Sequence, residues 1–384
     1  MKILYSHRTR SADGQHIHIR ELTNALGFLG HDVMIAGPGG VDHVSANLGA
    51  GGGRGFKRFA PAAIYEAAEF GYSLPAYMQL SRLAKAAPPD ILYERYNLYF
   101  HAGVWLKKRH GIPMILEVNA PLAEERSLHG GLALKAFAQK SERSIWRAAD
   151  IVLPVTNVLA DRLRAVGVAD EKICVIHNGV SKKFLAPHDP NPIREQYNLQ
   201  DKLVLGFTGF VRDWHRVDRA IQFLAMHPSD DVRLLIVGDG PARDSLEALA
   251  AVLGVAGRVV FTGVVQRYEL PDYVAAFDVA LQPAVVDYAS PLKLFEYMAL
   301  GKPILAPNSA NIREILTQNK DAILFDTDNQ DDFEKSLSEL VEGRELRSRL
   351  GGAARHSLER QDLTWVGNAQ RITAISERLL KEKR

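Results

Sequence analysis

The segment DYASPLKLFEYMALGKPILAP, Asp287–Pro307, places Lys293 and Glu296 three residues apart, a spacing that puts both on one face of a helix. Ser290 suits an N-cap and Pro291 the first helical position, while Gly301 and Pro303 suit the stop. Leu294, Phe295, Met298 and Ala299 then fall on the inward face. The first N–H groups of a helix lack intrahelical acceptors and carry partial positive charge. Those near Leu292, with the ammonium of Lys293, therefore make a site for a diphosphate. One turn deeper, Glu296 can accept hydrogen bonds from two vicinal hydroxyls, such as those of a ribose. Taken alone, the same pattern also describes an amphipathic helix with an ordinary Lys–Glu pair.

A second segment, VLGFTGFVRDWHRVDRAI, reads as a buried strand over Val204–Phe207, a turn at Gly209, and then Arg212, Trp214, His215 and Arg216 ahead of a helix. Basic groups at the carboxyl end of a strand, beside a helix start, suit phosphate. In LLIVGDGPARDSLEALA a strand runs into Gly238-Asp239-Gly240, where glycine lets backbone approach a nucleotide. FTGVV brings Gly263, Val264 and Val265 to another strand end, within reach of a base. In the first half, Gly14 and Gln15 lie between the first strand and its helix, and Asn119 follows a strand. Glu94, Arg95, Glu117 and Glu124 also fall near strand ends, as candidates for an acceptor side, while His16 and His18 read as surface or capping residues.

These residues need strand ends to sit on, and the chain supplies them. Short apolar β-rich runs alternate with longer helical patterns, which argues for parallel sheets of βαβ units. The first series is Lys2–Ser6, Asp32–Ala36, Asp90–Tyr93, Pro113–Val118, Ile151–Pro154 and Lys172–Ile176. The second is Lys202–Phe207, Val232–Val237, Arg258–Phe261, Val279–Gln282, Pro303–Ala306 and Ala322–Phe325. Between them HNGVSKKFLAPHDPNPIREQYNL, rich in Pro, Asn and charge, reads as a linker. A chain of 384 residues also exceeds what one core usually serves. The expected class is α/β, with two Rossmann-like domains facing a central cleft: 1–187, 188–362, and a helix over 363–384 returning to the first domain.

Composition narrows the classes further. One cysteine, Cys174, allows no intrachain disulfide, no apolar run reaches spanning length, and the start reads as a strand rather than a leader. A cytoplasmic protein is the expectation. Through Pro187 there are 23 Lys and Arg against 16 Asp and Glu, and beyond it 24 against 29, so a basic half faces an acidic one. The patch GAGGGRGF (Gly49–Phe56), with Arg54, Phe56, Lys57, Arg58 and Phe59, reads as a surface loop or as a peripheral contact with anionic lipid at the inner membrane face. No Cys/His cluster has metal spacing, and no nucleic-acid partner is expected. HRTRSADGQ after the first strand is no G-x-G-x-x-G turn, and VGDGP lacks the third glycine, which disfavours a dehydrogenase.

Read in order, the Gly14-to-Leu26 stretch followed by GHDV, HNGV at His177–Val180, GFTGFVRDWH, VGDGP, FTGVV and SPLKLFEYMALGKP cover nearly the whole chain. In this set the chain resembles the family-4 glycosyltransferases of the GT-B fold. The resemblance implies retaining transfer from a nucleoside-diphosphate sugar, held mostly by the C-terminal domain, without a metal or other cofactor. The acceptor would be a hydroxyl of a saccharide, a lipid-linked intermediate or a small molecule. The family's phosphate-clamping Arg/Lys pair falls on Arg212 and His215. A neutral imidazole clamps more weakly than lysine, which shifts diphosphate charge onto Lys293 and the N–H groups near Leu292. Of the family's two glutamates with seven residues between, the second is Glu296, which contacts ribose. The first falls on Tyr288, so either the adjacent Asp287 takes over its contact with the donor sugar, the preferred reading, or that contact is missing. Asn119 stands where relatives often have a histidine touching the transferred sugar, and it can orient a hydroxyl without acid–base work.

The expected catalytic set is thus Arg212, Lys293, Asp287 and Asn119. The donor-binding set is Gly14, Gln15, Gly209, His215, Gly238, Val264, Val265, Ser290, Leu292 and Glu296. The last helix, Thr364–Leu380, would cross back to the first domain, anchored by Trp365. Two other readings use the same parts: a nucleotide-sugar epimerase of this architecture, and a nucleotide-sugar-binding protein without catalysis.

Overall fold

The structure is a computed structural model that describes residues 1–9, 14–38, 40–41, 62–128, 131–227 and 229–382. The Gly49–Phe56 patch and its neighbours Lys57, Arg58 and Phe59 lie outside the described residues. The chain divides into two compact units, Met1–His177 with Trp365–Arg384, and Asn178–Thr364.

In the first unit β1 (Lys2–Ser6), β2 (Asp32–Gly37), β3 (Gly40–Val41), β4 (Ile91–Arg95), β5 (Met114–Val118) and β6 (Ile151–Pro154) form one sheet in the order β3-β2-β1-β4-β5-β6. Only β3 is antiparallel to its neighbour. β4 and β5 are buried along their whole length, polar residues included, because parallel strands are covered by helices on both faces. The expected strand over Lys172–Ile176 is not one. Asp170–Lys172 forms a 3-10 turn, and Ile173 makes a single parallel bridge to Val152. Cys174 and Ile176 still donate their N–H groups to Val152 and Pro154, so the segment runs beside β6 without a full ladder.

The second unit holds β7 (Leu203–Thr208), β8 (Val232–Val237), β9 (Val259–Phe261), β10 (Val279–Leu281), β11 (Ile304–Pro307) and β12 (Ile323–Phe325), all parallel, in the order β12-β11-β10-β7-β8-β9. The residues read as a linker largely belong to this unit. Val180, Phe184, Ile193 and Leu199 join its core, and Val180 donates its N–H to the carbonyl of Leu363. Their apolar spacing, overshadowed by Pro and Asn, is what places them there.

The last helix, Trp365–Glu382, is part of the first unit, where it packs against the helix Gly14–Phe28. Trp365 is buried, its ring edge-on to His18 at 4.7 Å. No helix of the described residues is long and apolar enough to cross a membrane.

Candidate active site

In the second sheet the chain runs outward from β7 through β9, then returns beside β7 as β10. That reversal makes a topological switch point at the carboxyl ends of β7 and β10, the place where open parallel sheets bind ligands. The loop after β7 carries Gly209, Arg212 and His215. The loop after β10 carries Asp287, Tyr288 and Ser290 and leads into the helix Leu292–Ala299. Tyr297 on that helix ties the two together, because its hydroxyl accepts from the Thr208 N–H at 3.0 Å.

Ser290 does not cap the helix. Its Oγ accepts the Asn178 N–H at 3.1 Å and its carbonyl accepts the Asn178 amide. Pro291 occupies the N-cap position, with φ −69° and ψ 122°. The expected start thus moves by one residue, since the hydroxyl that would have capped the helix is committed to the HNGV segment. Asn311 holds the preceding loop by donating to the carbonyls of Val286 and Ala289. Asp287 is exposed and Tyr288 half-buried in a turn of that loop.

Lys293 turns toward Phe207 of β7. Its Nζ lies 3.8 Å from the centroid of Phe207 and is buried without a hydrogen-bond partner among the described residues. A Cβ on Gly209 would stand 3.3 Å from it, so the glycine leaves the ammonium room against the backbone. Burial pushes Lys293 down to about 7, against an upward pull from Glu296. His215 lies tilted against Phe207, with ring centroids 5.4 Å apart. Burial first, then the charges of Lys293 and Arg212, push His215 down to about 3, so its imidazole is neutral. Arg212 holds its guanidinium over the rings of Phe210 at 4.9 Å and Trp214 at 4.5 Å, both about half exposed. Arg212, His215 and Lys293 therefore form one electropositive cluster. The aromatic contact with Phe210 and Trp214 was not legible as such, although both residues flank Arg212 in sequence.

The glycines beside this cluster bring backbone together. Gly209, Gly238 and Gly263 end β7, β8 and β9 side by side: the Gly209 N–H donates to Val237, and Gly238 bridges Gly263. Gly238 has φ +131°, and a Cβ there would meet the Gly209 carbonyl oxygen at 2.1 Å. Gly238→Ala should therefore cost about 2 kcal/mol or more of stability and weaken diphosphate binding by displacing Gly209. Urea unfolding and nucleotide titration of that variant check both. Val264 is exposed and Val265 half-buried against the core.

Glu296 is 4% exposed. It does not pair with Lys293. Its Oε1 meets Nη2 of Arg267 at 2.5 Å, and that guanidinium lies over Phe184 at 5.0 Å. Sequence spacing drew attention to the Lys293–Glu296 pair and gave no sign of Arg267, which comes from the loop after β9.

In the first unit several polar side chains meet at Glu117. Glu117 accepts from His18 Nε2 at 2.8 Å, Tyr93 Oη at 2.7 Å, Arg95 Nη1 at 2.5 Å and Asn119 Nδ2 at 2.5 Å. Burial works to raise its pKa, but His18, Arg95 and these hydrogen bonds hold it well below the usual carboxylate range. Glu94 is buried too, pushed up to about 8 by desolvation, with its Oε2 accepting from Ser6 at 3.1 Å. Glu94, Arg95 and Glu117 are thus interior groups rather than an open acceptor wall, a consequence of fully covered strands. His18 is not a surface residue but part of this network. Glu124 pairs with Arg162 at 3.4 Å. Gly14 and Gln15 open the first helix, where the Gln15 side chain accepts from Thr9 at 3.3 Å. Among the described residues no group of three His, Cys, Asp or Glu is arranged to hold a metal ion.

Residues 12–184 match Glycosyltransferase Family 4, and residues 190–357 match Glycosyl transferases group 1. The chain belongs to the family-4 glycosyltransferases. A D-inositol 3-phosphate glycosyltransferase of Nocardioides sp. is 26% identical to it over 327 residues, 78% of this chain and 70% of the relative. The sucrose-phosphate synthase of Thermosynechococcus elongatus superposes on this glycosyltransferase with a TM-score of 0.82 at 18% identity, covering all of both chains. HepE of Anabaena in complex with UDP-glucose gives 0.76 at 18% identity, covering 98% of this glycosyltransferase and 99% of HepE. The two-unit parallel-sheet architecture is therefore the GT-B fold.

Proposed function

We propose that this glycosyltransferase moves a hexosyl group from a nucleoside-diphosphate sugar to an acceptor hydroxyl with retention of configuration, in the cytoplasm and without a metal or other cofactor. The observation that carries the reading is the Lys293 ammonium, buried against Phe207 at the end of β7 with no hydrogen-bond partner among the described residues. A buried cation costs free energy unless it is paired, and a diphosphate is the partner this strand-end site fits. The flexible stem of lysine lets the ammonium leave Phe207 for a phosphate oxygen. Arg212 and the N–H groups at Leu292 add to the same clamp. Glu296 faces the ribose hydroxyls, Gly238, Gly263 and Val264 the base, and Asp287 the donor sugar. The UDP-glucose complex of HepE and the transferase activity named for the relative support a donor of this class.

In this mechanism the acceptor hydroxyl attacks the anomeric carbon from the face the nucleotide leaves. A departing phosphate oxygen takes the hydroxyl proton. The protein then supplies no strong base, and its main contribution is charge stabilisation on the leaving diphosphate. Asn119 orients a hydroxyl of the sugar, and the acceptor is a saccharide, a lipid-linked intermediate or a small molecule.

Incubating the protein with UDP-, GDP- and ADP-sugars and a panel of acceptors tests this. Nucleotide should be released only when an acceptor is present, and NMR of the product should show the anomeric configuration of the donor. Sugar interconversion without acceptor would point instead to an epimerase. Tight binding with neither outcome would point to a protein without catalysis.

A further inference from the structure

Lys293 and Glu296 lie three residues apart on one helix face, the spacing at which lysine and glutamate pair. Yet Lys293 has no hydrogen-bond partner among the described residues, and the Glu296 carboxylate instead meets Arg267 at 2.5 Å. The guanidinium is itself held, stacked over the buried ring of Phe184 at 5.0 Å. Arginine presents a planar fork that an aromatic face can fix, and a carboxylate held on one oxygen retains lone pairs for further donors.

We propose that Arg267 is a positioning residue that draws the Glu296 carboxylate away from Lys293, leaving the ammonium for phosphate and the carboxylate for vicinal hydroxyls. The inference rests on the diphosphate-and-ribose reading above and adds what keeps its two halves apart. Without the guanidinium, the nearest cation to Glu296 on its own helix face is Lys293. An ion pair between them occupies both groups, and a ligand must break it before either can be used.

The test is calorimetric titration of the full chain with inorganic pyrophosphate, and with UDP, ADP and GDP beside their 2′-deoxy counterparts. Arg267→Met should weaken pyrophosphate binding roughly tenfold, the cost of breaking a partly buried pair, and remove the preference for ribose. Arg267→Lys, which keeps a cation, should retain most of both properties. Adding Glu296→Gln to Arg267→Met removes the competing carboxylate, and pyrophosphate affinity should return while the ribose preference does not. A merely structural arginine would not be rescued in that way. Wild-type pyrophosphate affinity in Arg267→Met, or a loss that Glu296→Gln leaves in place, overturns the inference. If Arg267→Met fails to fold by circular dichroism, Arg267→Gln in the same two backgrounds decides it. A wild-type protein that binds neither pyrophosphate nor any of the six nucleotides would instead remove the underlying reading.

Discussion

Lys293→Met should lower sugar transfer by about two to three orders of magnitude, the scale of losing one charge-stabilising group in an active site, while making the protein harder to unfold. The two effects share one cause. The ammonium nitrogen is buried against the face of Phe207 with no hydrogen-bond partner among the described residues, and burial holds its pKa near 7 against an ordinary value of 10.5. A folded-state pKa below the unfolded one means that the unfolded chain binds more protons between those values. Lys293 therefore opposes folding, fully below pH 7 and progressively less as pH rises from 7 toward 10.5. Lys293 as a whole residue is partly exposed, so solvent screening trims the gain from its removal to on the order of 1–3 kcal/mol at pH 7. Methionine fills a similar volume without the charge. Turnover and urea midpoints measured on one preparation check the pair. A variant that keeps its activity, or that unfolds more easily than wild type, contradicts the account.

Donor affinity should be greatest below pH 7 and then weaken by up to about tenfold per pH unit as the solution becomes more basic. An anion binds the ammonium form, so binding above pH 7 must take up a proton that the empty site has released. The diphosphate of a nucleotide sugar has no proton to lose in this range, so its own titration does not mask the trend. Nor does His215, which burial and the charges of Lys293 and Arg212 keep neutral. Glu296, which pulls Lys293 upward, is engaged with Arg267. Calorimetry at pH 8 in buffers of different ionisation enthalpy should show close to one proton taken up per donor bound, and Lys293→Met should show none. A pH-independent affinity in the wild type would mean that Lys293 does not meet the diphosphate.

Strands and helices were legible because burial in a parallel sheet leaves long apolar runs, and β1, β6 and β8 carry the bounds that those runs suggest. What failed depended on partners distant in sequence. Ser290 has the right type for a cap, but Asn178, more than a hundred residues earlier, claims its hydroxyl. The 178–199 stretch looked like a linker because Pro and Asn dominate it, while Phe184 and its apolar neighbours fill a core. His18 looked like a surface histidine until Glu117, from another strand, arrived beside it. Lys293 was legible from its place at a helix start. Arg267 was not, because its meaning comes only from Glu296, which folding brings to it.

The central claim is that Lys293, Arg212 and the start of the Leu292–Ala299 helix bind one diphosphate at the carboxyl ends of β7 and β10. A crystal structure with a nucleoside diphosphate bound tests it most directly. Phosphate oxygens should lie about 2.7–3.2 Å from Lys293 Nζ and from the Leu292 nitrogen, with Glu296 on the ribose. A diphosphate bound elsewhere, with Lys293 still against Phe207, would contradict it.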